Sequence, residues 1–201
     1  KRGQFSLQPP IRLSVSARAS TESIPGTWGF GLWNDPFGLS LGFGGNPFQL
    51  PALPNAAWFF GASTESYLSF RDDKPAQGFL AQTFRSPRVH PLLLPAGLAL
   101  PFSRKTTRRL MGRVIGEDGV RLRVDITQWH RYRLDWREDR VSFHVDDAPV
   151  FESTVSPEPR LGLVIWIDNQ FAAFTREGNI GFGVLENPGP AWLEIKDIEL
   201  A

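Results

Sequence analysis

Histidines, clustered carboxylates and indoles are the side chains through which this sequence could do chemistry, and their spacing narrows what that chemistry is. His130 and His144 fall on successive stretches of alternating polarity, while His90 lies far upstream. None has an acidic or histidine third ligand at metal-binding spacing, so outer-face histidines are expected and no metal. Glu194, Asp197 and Glu199 form an acid-rich run, but Glu194 and Asp197 differ in strand parity. A solvated edge accounts for them, with a structural calcium as the alternative and no other cofactor implied. No glycine-rich phosphate loop, dinucleotide fingerprint or Ser-His-Asp arrangement is present. The run TWGFGLWND places Trp28, Phe30 and Leu32 on one face and Gly29, Gly31 and Trp33 on the other. Two glycines inside a strand mark the close approach of a backbone, a bulky core neighbour or a ligand.

Bulk composition sets the frame for these residues. A chain of 201 residues suits one domain, expected over 1–201, and β-sandwiches reach this size without splitting. Lys and Arg total 22 against 21 acids, a net charge of +1, which argues against nucleic acid as the partner. There is no cysteine, so disulfides and thiolate metal sites are excluded and the redox compartment stays open. The chain starts at Lys1, so a trimmed N-terminus is expected; extracellular and cytoplasmic locations are both compatible, and the oligomeric state is open. The longest apolar patch, around Leu92 to Phe102, is broken by Pro95, Gly97 and Pro101, so no transmembrane segment is expected. Nineteen glycines and 17 prolines suit many short strands joined by turns. Seven tryptophans and 16 phenylalanines exceed the usual needs of a core, leaving some to face a ligand.

The elements that must position these side chains read as strands. Tyr132, Leu134 and Trp136 alternate with Arg131, Arg133 and Asp135; past Glu138-Asp139, Val141, Phe143 and Val145 alternate with Ser142, His144 and Asp146. A turn at Asp147-Ala148-Pro149 launches Val150 and Phe151, which completes a meander. Ile11 to Ala17 forms a half-buried strand, and further strands are expected at 56–63, 66–70, 79–84, 120–126, 161–167, 179–184 and 192–200. Residues 36–55 read as an ordered loop, and a loop also carries Phe171, Phe174 and Glu177. Lys74 to Gly116 holds no acid but eight cations: Lys74, Arg85, Arg88, Arg104, Lys105, Arg108, Arg109 and Arg113. There a short basic helix is expected, capped by Ser103 or Thr106. It is either a solvated face packed on the sandwich or an anion or membrane-surface contact. The fold class is all-β, a two-sheet antiparallel jelly-roll sandwich with one short helix in the 88–116 insertion.

Trp129-His130-Arg131-Tyr132 to Trp136, followed by Val141-Ser142-Phe143-His144-Val145-Asp146, resembles the W/F-H-x-Y-x-x-x-W and x-F-Y-V-D-G run of the concanavalin A-like glucanases, in particular glycoside hydrolase family sixteen. Gly26-Thr27-Trp28 resembles that family's G-T-W-P-A-F-W strand, Leu163 to Asp168 its apolar strand before a polar loop, and Trp192 to Leu200 its closing strand.

That resemblance implies a concanavalin A-like sandwich with a sugar cleft and a catalytic strand E-x-D-x-E or E-x-D-x-x-E. Retaining hydrolysis needs two carboxyls about 5 Å apart. Here the corresponding acids fall on Ala57, Phe59 and either Gly61 or Ala62, so the family's mechanism does not carry over. By the resemblance, Val164, Trp166 and Asp168 face the cleft, with Trp33 and Phe59 opening onto the same space and Asn34, Asp35, Asn169 and Glu65 nearby. The competing assignment makes Trp33 and Trp166 plain core. Three readings follow. One is a noncatalytic, saccharide-engaging sandwich with a binding set of Trp33, Asn34, Asp35, Phe59, Trp166, Asp168 and Asn169. Another is a hydrolase with relocated acids drawn from Glu65, Asp168 or Asp35. The third is a binder or modifier of an apolar small molecule, suggested by Trp58, Phe59 and Phe60.

Overall fold

The computed structural model describes residues 5–35, 53–87 and 103–201. In chain order these form β1 (Ile11–Ala19), β2 (Thr27–Trp33), β3 (Ala56–Ala62), β4 (Gly78–Arg85), α1 (Arg104–Val114), β5 (Gly116–Arg121), β6 (His130–Trp136), β7 (Val141–Val145), β8 (Ala148–Ser153), β9 (Gly162–Asp168), β10 (Gln170–Phe174), β11 (Ile180–Val184) and β12 (Leu193–Leu200). One antiparallel sheet has the order β12-β1-β6-β7-β8 and the other β5-β4-β3-β2-β9, with β10 and β11 as a separate hairpin. This is a β-sandwich of the jelly-roll class. No helix of the described residues is long and apolar enough to cross a membrane.

Alternation decides which side chains meet between the sheets. The first sheet contributes Leu13, Val15 and Ala17, then Tyr132, Leu134 and Trp136, then Val141, Phe143 and Val145; the second answers with Trp28, Phe30, Leu32, Ala57, Phe59, Phe79 and Ala81. Trp136 is fully buried, and its indole N–H donates to Ser156 Oγ at 3.0 Å, so the ring enters the core without an orphaned donor. The turn of the β6-β7-β8 meander begins one residue earlier than expected, and β8 starts two residues earlier, at Ala148 rather than Val150. Asp146 and Asp147, at φ 50° and 65°, make the two-residue turn, and Ala148 already pairs with Val145. Both positions need the left-handed region, which aspartate tolerates.

The structure differs from the sequence-based expectation at further places along the chain. Residues 66–70 hold only an isolated bridge, Tyr67 to Ala173, because the Phe70 N–H donates to the Glu117 side chain rather than to a ladder. The strand expected at 120–126 lies at Gly116–Arg121, although Leu122 and Ile126 still point into the core. The loop expected around Phe171 contains β10, which pairs with β11. The helix is capped by Ser103, whose hydroxyl accepts from the Thr106 N–H. Residues 36–52 and 88–102, with the expected loop, apolar patch and His90, lie outside the described residues apart from the loop's last residues, Leu53 to Asn55.

Not all of the basic segment is a solvated face. Arg108 is 3% exposed and donates to Asp72 Oδ1 at 2.6 Å, the Ser69 carbonyl at 3.0 Å and the Phe174 carbonyl at 3.0 Å. Its guanidinium also lies 5.6 Å from the Tyr67 ring centroid. One planar fork thus joins α1, the 69–72 turn and the β10 edge. Arg108→Met is expected to lower stability by about 2–4 kcal/mol, because two carbonyls lose their donor. Denaturant unfolding would measure the loss, and hydrogen exchange would locate it at β10 and α1.

Candidate functional site

Side chains of the second sheet that do not enter the inter-sheet core build a second cluster on its outer face. Ala56, Trp58, Phe60 and Ala62 of β3, Leu80 and Phe84 of β4, and Ile115 form its buried part, with Trp33 and Trp166 at its margin. Leu68, Phe70 and Met111 roof one side of it. Trp33 and Trp166, from the neighbouring strands β2 and β9, remain half-buried. Their rings are nearly parallel, 4° between planes and 6.3 Å between centroids, and Trp58 lies behind both, at 6.3 Å from Trp33 and 5.5 Å from Trp166.

The glycines of β2 explain how three indoles fit on one sheet face. A Cβ on Gly29 would sit 2.8 Å from Trp166 Cη2 and 2.3 Å from the Phe59 carbonyl oxygen; one on Gly31 would sit 2.6 Å from the Trp58 Cβ. Bare backbone between two tryptophans is the close approach that the Gly-x-Gly spacing marks. Trp166 is aimed by a short relay. Its N–H donates to Thr27 Oγ1 at 3.1 Å, and Thr27 donates to Asp168 Oδ1 at 3.0 Å, which also accepts the Gln170 N–H at 3.1 Å. Trp58 has its own relay: its N–H donates to Gln82 Oε1 at 3.2 Å, and Gln82 donates to Glu117 Oε1 at 3.3 Å.

Of the residues singled out by sequence, Trp33, Trp166 and Asp168 share this face. Phe59 does not. It is 1% exposed between the sheets, with ring centroids of Tyr132 and Phe143 at 5.0 and 5.3 Å, and Trp58 occupies the outer position instead. Every residue of β3 is buried and nearly all are apolar, so its pattern carries no parity signal. Asn34 uses its side chain to brace the chain, donating to the Leu53 carbonyl at 2.9 Å and accepting the Asn55 N–H at 3.0 Å. Asp35 is 5% exposed with φ 49°, and Asn169 donates to the Leu185 carbonyl at 2.8 Å. Sequence reasoning missed Gln82 and Glu117, which no motif marks, and placed Trp58 in the apolar-ligand reading only.

Asp168 and Glu117, two carboxylates of this face, stand too far apart to form a hydrolytic pair with each other. Ala57 and Phe59 point into the core, and the outward positions of β3 hold Ala56, Trp58, Phe60 and Ala62. Asp168 shares a cross-strand row with Thr27, Ala62 and Gly78, whereas Glu117 shares one with Phe84, Ala56, Trp33 and Gly162. Four strand spacings and six residues separate them, roughly 27 Å, against the ~5–9.5 Å that glycoside hydrolysis requires. Glu65 sits exposed in the turn after β3, and nearby donors, among them its own backbone N–H and the Thr64 hydroxyl at 3.2 Å, hold its carboxyl below the ordinary value. A general acid needs the opposite shift. Glu117 has that shift: burial pushes its pKa up, against hydrogen bonds from the Phe70 N–H and Gln82 that favour the charged form.

The remaining candidates are engaged elsewhere. His130 contacts Asp146 Oδ2 at 2.6 Å and the Asp125 carbonyl at 3.0 Å. Glu194 accepts from Arg18 at 3.0 Å and Glu199 lies 3.4 Å from Arg131. Among the described residues no three His, Cys, Asp or Glu side chains gather as a metal site.

No protein-family model and no curated protein sequence matches the chain. Among solved structures, alginate lyase AlyC3 is similar at a TM-score of 0.38 and 10% identity, and its complex with dimannuronate at 0.36 and 11%. Each match covers 96% of this chain, which spans 65% and 64% of those chains. A likeness of this degree carries no conclusion about activity.

Two expected outcomes test the site. Gly29→Ala should cost about 1–3 kcal/mol, because the new methyl meets a carbonyl and the Trp166 ring together; thermal unfolding and tryptophan fluorescence would report it. Glu117, with a folded pKa above its ordinary 4.5, contributes stability that is complete below pH 4.5 and is lost as pH rises through the folded pKa. Glu117→Gln should remove that decline, read as the change in unfolding free energy between pH 4.5 and pH 8 for the two proteins.

Proposed function

We propose that this chain is a concanavalin A-like sandwich, related in architecture to glycoside hydrolase family sixteen, that binds a saccharide on the outer face of its second sheet and does not cleave it. The observation that carries this reading is the Trp33–Trp166 pair, two half-buried indoles with parallel planes on one sheet face. A pyranose ring presents an apolar face of axial C–H groups and an equatorial rim of hydroxyls. An indole receives the former and nearby polar groups the latter. With its N–H committed to Thr27, Trp166 has only its ring face to offer a ligand. Asp168 lies at the end of the same row of side chains, and its Oδ1 already accepts from Thr27 and Gln170, so its part is to aim the indole and to present its second oxygen to a sugar hydroxyl.

Support for a noncatalytic role comes from the acids. The family's acidic positions hold Ala57, Phe59 and Gly61 or Ala62, and Glu65 is shifted the wrong way for proton donation. An apolar small molecule is the weaker alternative, since Trp58, Phe60 and Phe84 are already buried against one another and the roof.

Calorimetry with soluble β-glucans, galactans, mannans and mannuronate oligomers, with product release followed in parallel, tests the reading. Saturable binding without product is expected, weakened about tenfold or more in Trp166→Ala, equivalent to about 1.4 kcal/mol. Product release, or absence of binding to every saccharide, would overturn it.

A further inference from the structure

Four cations of α1 project into solvent. Arg108 is spent on Asp72 and two carbonyls, but Arg104, Lys105, Arg109 and Arg113 are all exposed. Among the described residues Arg104, Arg109 and Arg113 have no acidic partner, and Lys105 has Glu177 within electrostatic range. Lys105, Arg109 and Arg113 recur at every fourth residue, which sets them in one stripe running roughly 12 Å along the helix. Thr107 and Val114 are buried and Met111 packs on the aromatic cluster, so the stripe lies on the side of α1 turned away from the second sheet.

An apolar patch abuts these cations. The turn between β10 and β11 packs on the first turn of α1, where a Cβ on Gly178 would sit 2.8 Å from the Lys105 backbone nitrogen. Beyond that turn Ile180, Phe182 and Val184 alternate with Gly181 and Gly183, so they share one face of the hairpin. The opposite face is closed by the Phe171 ring, which a Cβ on Gly183 would meet at 2.9 Å. The first face is open: Ile180 is 42% exposed, Phe182 77% and Val184 59%. Their cross-strand neighbours there are Phe174, Ala172 and Gln170, so no charge interrupts the patch.

We propose that this corner of the molecule, the α1 cations together with the Ile180, Phe182 and Val184 face, docks on the surface of an anionic lipid bilayer. Such a surface receives the cations at its headgroups and the apolar side chains at the acyl boundary beneath them. Each half of the corner disfavours a different competitor. A soluble polyanion, whether nucleic acid or acidic polysaccharide, pairs with the cations but gains nothing from an exposed Phe182. A second copy bringing the same corner to this one sets cation against cation. With a net charge of +1 the chain as a whole is not drawn to polyanions, so the attraction is local and orients the molecule on the bilayer. The inference rests on α1 and the hairpin and stands apart from the saccharide reading, whose indoles take no part in it.

Co-sedimentation of the full chain with vesicles tests the proposal. Binding is expected to vesicles of equal parts phosphatidylcholine and phosphatidylserine and not to phosphatidylcholine alone, and it should weaken strongly at roughly 1 M salt, where the Debye length is about 3 Å. Lys105→Gln, Arg109→Gln and Arg113→Gln combined should weaken it about a hundredfold, since each cation near such a surface contributes about fivefold. Phe182→Ser should weaken it about tenfold by removing the most exposed apolar contact. All of these positions are exposed, so both variants should keep the near-ultraviolet circular dichroism spectrum of the wild type. Three results would overturn the proposal: no binding to the anionic vesicles, equal binding to both kinds of vesicle, or binding that either variant leaves unchanged. The last includes the case in which another segment of the chain covers the hairpin. Binding of a soluble polyuronate or of duplex DNA as tight as that of the vesicles would also overturn it, by making a soluble polyanion the partner of α1.

Discussion

The structure depends on one constraint: the β5-β4-β3-β2-β9 sheet is apolar on both faces and must be covered twice. Its central strand β3 is buried at every position from Ala56 to Ala62. One face is covered by the first sheet, which supplies Leu134, Trp136 and Phe143, all inaccessible to solvent. The other has no second sheet among the described residues, so it is covered by its own aromatics and by the roof of Leu68, Phe70 and Met111. Burial at a few tenths of a kcal/mol per ten square ångströms makes both coverings strongly favourable, and the aromatic cluster is what forms where the second covering thins out.

Polar groups hold that roof in register rather than adding bulk stability. Arg108 reaches three acceptors from one buried guanidinium, and Glu117 accepts from Phe70 and Gln82 beneath the same turn. Asn55 does equivalent work at the other end of the face, donating to the Ser86 carbonyl and accepting the Ser86 and Glu158 N–H groups. Each is a buried polar side chain with its partners in place, the condition under which burial adds specificity without an unpaired-group penalty. The half-open margin at Trp33 and Trp166 is consequently set in a rigid frame. In the proposed saccharide reading a flat ligand meets a preformed surface there, which lowers the ordering cost of binding.

Much of this was legible from local pattern. Period-two alternation located β1, β6 and β7 because one face of each is solvated and the other is core. Ser103 announced the helix through its capping position, and Gly29 and Gly31 announced crowding through the absence of side chains. The places where pattern failed have equally local causes. In β3 apolar residues fill both faces, so Phe59 and Trp58 could not be told apart by type. At 66–70 a buried carboxylate outcompetes the ladder for the Phe70 N–H, and nothing in the local stretch names Glu117, 47 residues away.

By itself the sequence determined the sandwich, the meander, the lack of thiol chemistry and the absence of acids from the β3 run, since each follows from residue type and near-neighbour spacing. Only the tertiary structure decided which face each β3 side chain takes, that Trp33, Trp58 and Trp166 gather on one surface, and that Asp168 and Glu117 stand at opposite corners of it. It also left Leu163, Ile165 and Ile167 exposed on a strand whose sequence reads as interior. The physical reason is common to all of these. Alternation fixes side-chain direction relative to a strand, but strand order and cross-strand register fix what lies in that direction, and both are set by contacts between residues far apart in the chain.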